Sequence, residues 1–180
     1  MTFRCISIDT AVAERFRATG ADDTGEVLRR VTVRRVAGGG LSPCRHCLSP
    51  IEDGRDALLG SYRLERPLGA YWTPSPIFVH ADTCARFDAA NRLPEFMHGI
   101  PLSVRAYDAD DQMVYDLSDL TSGAEAEALI ERGLGDERTR YANIHTGRFG
   151  CFLCRVEADP ETNPMIRPLN PRRGAEPSFW

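Results

Sequence analysis

The sequence predicts a single α+β domain over residues 1–158, with a mostly antiparallel sheet, two principal helices and an extended Pro-rich C-terminal tail over 159–180. Three observations lead there. Short runs with period-two alternation recur along the chain, as strands require. Only two stretches carry helical periodicity together with start and stop signals. From Asp159 onward, five of the chain's 12 prolines crowd into the last residues, a composition that resists packing. A length of 180 residues suits one domain with a real core.

The elements follow in order. Phe3 to Ile8 reads as a short strand. Asp9 or Thr10 caps a helix running to about Thr19, with Val12, Ala13 and Phe16 on one face and Gly20 as its stop. Residues 21–26 form a turn. Val27 to Val36 alternates as a strand, with Val27, Val31 and Val33 sharing one face and Arg30, Thr32 and Arg34 the other. Those arginines read as the solvated face of an edge strand, where charge blocks aggregation.

Gly38 to Gly40 breaks the chain, and Pro43 leads into Cys44. Ala57 to Leu64 is a strand. Residues 66–76 form a proline-rich loop that carries Tyr71 and Trp72, and Ile77 to Val79 is a short buried strand ending at His80. A helical turn near Asp88 to Met97 is broken by Pro94. Leu102 to Tyr107 and Met113 to Leu117 read as a hairpin over an Asp108–Asp111 turn. Ser122 and Glu125 form a capping box for the second helix. Ala126, Leu129, Ile130 and Leu134 are its buried stripe, and Gly135 ends it. Tyr141 to Thr146 and Gly150 to Glu157 close the domain as two strands.

Composition excludes several classes of function. A net charge of −4 argues against a non-specific nucleic-acid binder, which needs a basic face, although net charge hides how charge is distributed. All 22 basic residues are arginine, so Schiff-base and P-loop chemistry are absent from these residues. No apolar run has the length of a membrane span, and the N-terminal stretch has no signal-peptide pattern. The expectation is a soluble, cytoplasmic protein whose six cysteines are reduced thiols.

Four of those cysteines stand in two pairs, Cys44-Arg45-His46-Cys47 and Cys151-Phe152-Leu153-Cys154. Two Cys-x-x-Cys turns supply the four-thiolate shell that Zn²⁺ favours. The expected metal ligands are therefore Cys44, Cys47, Cys151 and Cys154, with His80 and Cys84 as alternates. The second pair is the weaker half. Cys151 and Cys154 fall on opposite faces of a strand unless it starts after Cys151 or bends at Gly150.

Two other readings of the thiols stand beside the zinc reading. Buried cysteines are common core residues. A redox or nucleophilic Cys44/Cys47 pair has the right spacing, but Pro50 and Gly54 prevent the helix that a thioredoxin-type motif opens. A binding module for a small anionic ligand is a third class of function, with Tyr71 and Trp72 as its platform and Arg45 and Arg105 as its charges. No motif assigns a reaction, a substrate or a protein partner.

Pro43-Cys44-Arg45-His46-Cys47-Leu48, Pro76 to Ala81, Arg105 to Asp110 with Met113 to Tyr115, and Gly150-Cys151-Phe152 with Arg155-Val156 occur in this order. Together they resemble DUF1203, a bacterial family of unknown function, over roughly Met1 to Glu157. The resemblance implies a compact α+β domain and brings no activity, substrate or cofactor.

Overall fold

The computed structural model describes residues 2–35 and 41–159. The Gly38–Gly40 break and nearly all of the predicted tail lie outside the described residues. The chain forms β1 (Phe3–Ile6), α1 (Thr10–Thr19), β2 (Arg29–Thr32), β3 (Asp56–Tyr62), β4 (Ser75–His80), β5 (Pro101–Tyr107), β6 (Asp119–Ser122), α2 (Gly123–Gly135), β7 (Tyr141–Thr146) and β8 (Phe152–Ala158). The fold is α+β, with the strands divided between two antiparallel sheets. One has five strands in the order β1-β8-β7-β5-β6, the other three in the order β2-β3-β4.

Each helix covers its own core. The apolar stripe of α2, Ala126, Leu129, Ile130 and Leu134, packs with Leu102, Val104, Ile144, Leu153 and Val156 of the five-stranded sheet. Ala13 and Phe16 of α1 pack with Ala57, Tyr62, Ile77 and Val79 of the three-stranded sheet. Full burial of one such large apolar side chain stabilises by about 1.5–3 kcal/mol. Phe152 of β8 belongs to the second core, whereas Leu153 and Cys154 belong to the first. Strand alternation separates Phe152 from Leu153, and the register shift between Ile144 and His145 lets Leu153 and Cys154 share one side.

The start of α2 depends on close approach. A Cβ on Gly123 would lie 1.7 Å from the Met97 carbonyl oxygen, so only glycine lets the helix meet the short 3₁₀ turn at Glu95–Gly99. The Ser122 hydroxyl bonds Glu125 Oε2 at 2.9 Å rather than a backbone amide. The predicted capping box therefore closes through its side chains alone.

Three predicted elements change. The strand expected over 27–36 is confined to Arg29–Thr32, and Val27 is 83% exposed. The expected partner strand at Met113 to Leu117 is a single bridge to Tyr107 followed by a 3₁₀ turn, Tyr115–Leu117. Strand β6 takes its place against β5, pairing Val104 with Asp119 and Pro101 with Ser122. The final strand begins at Phe152, after a turn in which Gly150 has φ 70°.

Candidate metal centre

The first cysteine pair lies in a loop closed at both ends. Cys44 N–H donates to the Ser49 carbonyl at 2.9 Å and Ile51 N–H to that of Ser42 at 3.0 Å. Pro43 and Pro50 face each other across the neck. Leu48 adopts φ 48° to complete the bend and is buried in the first core. The loop docks on β4 through a parallel bridge between Cys44 and Phe78, with Arg45 N–H donating to the Phe78 carbonyl at 2.9 Å. That pairing sets Cys44 beside His80, the last residue of β4.

Four side chains converge there. Cys44, Cys47, His80 and Cys84 each offer one ligand atom, and these atoms all lie within 4.8 Å of one another. Cys44 Sγ is 3.9 Å from Cys84 Sγ, and Cys47 Sγ is 3.5 Å from His80 Nδ1. Such a set can hold a metal ion. Cys44 is fully buried and the other three are half-buried.

The electrostatics favour a thiolate at Cys44. The Cys47 side chain donates to its sulfur, and the backbone amides of Cys47, His80 and His46 also point at it; these hydrogen bonds hold the Cys44 thiol well below its usual range. Cys47 is pushed up, first because it is the donor to Cys44 and then by burial. Cys84 is also raised, chiefly by burial and then by the neighbouring Cys44 charge. Without a cation, only one of these crowded sulfurs is readily charged. A bound cation would let the others ionise.

A ring of donors surrounds the cluster. His80 N–H lies 3.4 Å from Cys44 Sγ. His46 Nδ1 is 3.2 Å from Cys84 Sγ, and Thr10 Oγ1 is 3.0 Å from His46 Nε2. Burial lowers the pKa of His46, with the Arg17 and Arg86 charges adding to the effect and the Cys44 charge opposing it. Nδ1 thus faces the Cys84 sulfur and Nε2 the Thr10 hydroxyl, so that one ring nitrogen can donate while the other accepts.

The second pair takes another course. Cys151 precedes β8, and its Sγ contacts the Phe149 carbonyl at 3.9 Å. Cys154 is fully buried in the first core, where Cys5 is its hydrogen-bond partner, and both that contact and burial raise its pKa. Neither residue joins the four-membered cluster; the two alternates, His80 and Cys84, complete it with Cys44 and Cys47. The two Cys-x-x-Cys motifs nevertheless meet, through an arginine. Arg45 Nε donates to the Phe152 carbonyl at 2.6 Å, and Nη1 donates to that of Pro43 at 2.5 Å. Among the described residues no carboxylate pairs with Arg45, which is 2% exposed. Burial pushes its pKa down to about 10, opposed by the nearby sulfurs of Cys151, Cys44 and Cys154. A cation buried without an anion is costly, and anionic sulfur at Cys44 offsets that cost.

The side chains expected to bind an anion are tied into the fold. Trp72 Nε1–H donates to the Leu64 carbonyl at 3.1 Å, with the Arg63 guanidinium 5.5 Å above its ring. The Tyr71 and Tyr115 hydroxyls are 3.1 Å apart. Arg105 lies on β5 and reaches Ser103 Oγ at 3.3 Å. Arg45 is the buried link between the two cysteine motifs.

Spacing had offered one useful signal for the observed set. His80-Ala81-Asp82-Thr83-Cys84 places an imidazole and a thiol across a short turn, which one metal can span. His46 is visible in the sequence as a histidine between the two cysteines of the first motif, whereas Arg17, as a donor to the cluster, had no signature there. Among the described residues no helix is long and apolar enough to cross a membrane. The model of the DUF1203 family, described as a protein of unknown function, matches residues 41–158. That span contains all four members of the cluster. No curated protein and no solved structure matches the chain.

Proposed function

Because the chain belongs to the DUF1203 family, which brings no activity with it, we propose a function from the cluster itself: a zinc-binding module in which Cys44, Cys47, His80 and Cys84 hold one Zn²⁺ in a closed, structural site. One observation carries this reading. A tetrahedral zinc with bonds of about 2.3 Å to sulfur and about 2.05 Å to nitrogen sets two sulfurs about 3.8 Å apart and sulfur to nitrogen about 3.6 Å apart. The Cys44–Cys84 and Cys47–His80 separations are 3.9 and 3.5 Å. Two of the six edges of the ligand set thus have the lengths a zinc tetrahedron needs, and the rest lie within 4.8 Å.

The zinc would join three pieces that little regular structure connects: the Cys44–Cys47 loop, the end of β4 and the irregular segment that carries Cys84. Binding free energy would then be folding free energy. The competing thiol-enzyme reading has less support. Its best candidate for a thiolate, Cys44, is 0% exposed, and a nucleophile needs access.

Elemental analysis of protein purified without a metal-affinity step tests the reading. About one zinc per chain is expected, lost in Cys47→Ala and Cys84→Ala and kept in Cys151→Ala and Cys154→Ala. Zinc near zero in the wild type, with all six cysteines titrating after unfolding, would exclude it. Zinc lost in Cys151→Ala but kept in Cys84→Ala would assign the metal to the other pairing.

A further inference from the structure

Cys84 differs from the other three members of the cluster. His80 ends a strand, Cys44 bridges to that strand and Cys47 shares the closed loop with Cys44. Cys84 lies in a segment without regular structure, so its backbone alone does not fix its sulfur. What fixes it comes from elsewhere. Thr10 and Arg17 are two turns apart on α1 and lie on one face, and both reach the centre. Thr10 acts through His46, as described above. Arg17 acts directly: Nη2 donates to Cys84 Sγ at 3.4 Å, and Nε donates to the His80 carbonyl at 3.1 Å. One guanidinium thus spans two consecutive ligands on the turn that joins them.

Charge gives the second half of the argument. Three thiolates, one neutral imidazole and a divalent cation sum to −1. A guanidinium that donates to one of those thiolates forms a charge-assisted hydrogen bond and leaves the centre with Arg17 neutral. Donation into a metal-bound sulfur also withdraws electron density from it and lowers its nucleophilicity.

We propose that Arg17 is the positioning residue of the metal centre. It clamps the fourth ligand, Cys84, into the tetrahedron and quenches the reactivity of that thiolate, with His46 as the second donor. Helix α1 thereby becomes part of the metal site, and metal loading stabilises its docking. The inference rests on the metal reading above, and the experiment separates the two.

Wild type, Arg17→Met and Arg17→Lys are titrated with Co²⁺, then with zinc against a chelating dye. The zinc-loaded proteins are then alkylated with iodoacetamide and each cysteine is followed by mass spectrometry. In Arg17→Met the sulfur-to-cobalt charge-transfer band moves to longer wavelength, because the sulfur has lost a cationic donor. Zinc affinity falls about tenfold, in the range that loss of a partner of a metal ligand costs. Alkylation at Cys84 speeds up several-fold while that at Cys47 does not, and Arg17→Lys restores part of all three. An unmoved band and an unchanged Cys84 rate in an Arg17→Met protein that binds cobalt overturn the proposal. If Arg17→Met does not fold, the wild type decides: in the zinc-loaded protein Cys84 must react more slowly than Cys47, and the reverse order refutes the clamp. A wild type that shows no charge-transfer band with stoichiometric cobalt removes the metal reading, and the clamp with it.

Discussion

Acid should unfold this protein partly through one histidine remote from the cluster. His145 on β7 is 3% exposed, and its Nδ1–H donates to the Gly150 carbonyl at 2.9 Å. Burial, reinforced by the positive charges of Arg105 and Arg45, lowers its pKa to about 4. An unfolded histidine titrates near 6.5. Between those values the unfolded chain binds a proton that the folded chain refuses. Stability from this residue is therefore complete above about pH 6.5 and falls as the pH drops towards 4. With those two pKa values, linkage gives a loss of about 2 kcal/mol by pH 5 and about 2.5 kcal/mol by pH 4.5. The measurement is urea unfolding of wild type and His145→Gln at pH 7.5, 5 and 4.5. Glutamine keeps an N–H for Gly150 but cannot take the proton. The difference between the two proteins cancels the other titrating groups, including the cluster. The gap should narrow by about 2 kcal/mol from pH 7.5 to pH 5. A gap that changes by less than about 0.5 kcal/mol, or that widens, refutes a neutral buried imidazole at this position.

Four further outcomes are expected from unfolding experiments. Gly123→Ala should destabilise by at least about 1–3 kcal/mol, because its Cβ would meet the Met97 carbonyl at 1.7 Å. Gly133→Ala, where the nearest atom is 3.8 Å away, should instead stabilise α2 by up to about 1 kcal/mol. Asp111→Ala should cost about 3–5 kcal/mol, since this buried carboxylate accepts from Arg66 at 2.8 Å, Leu68 N–H at 3.0 Å and the Tyr141 hydroxyl at 2.7 Å. Adding a strong zinc chelator should lower Tm in the wild type and leave a Cys47→Ala protein unmoved, a comparison that differential scanning calorimetry reads directly.

Local pattern made most of the elements legible. The stripe of α2 and the alternation of β5 are properties of neighbouring residues, and each folded as its period implies. What failed was decided at a distance. Val27 to Val36 alternates well, but only Arg29–Thr32 finds a partner in β3. Met113 to Leu117 has strand composition, yet the edge of β5 is taken by β6. The candidate metal cluster is a mixed case. Cys44, Cys47, His80 and Cys84 were all visible as ligand types, but a symmetrical pairing of Cys-x-x-Cys motifs competed with them. The deciding fact is the parallel bridge between Cys44 and Phe78, which sets His80 at the first pair. Cys154 is meanwhile carried into the opposite core by the register of β8.

The pairing of β1 with β8, Phe3 opposite Ala158 and Ile6 opposite Arg155, bears on how the chain is made. During synthesis β1 can bridge to Ala90 and Asn91 early, but its pairing with β8 waits until that strand has left the ribosome. The five-stranded sheet therefore cannot close at its β1 edge until the end. The metal cluster is complete in sequence once Cys84 has been made, long before that. A metal ion held there would organise the residues up to Cys84 while the β8 edge of β1 is still open, which would shorten the search that remains when β8 arrives.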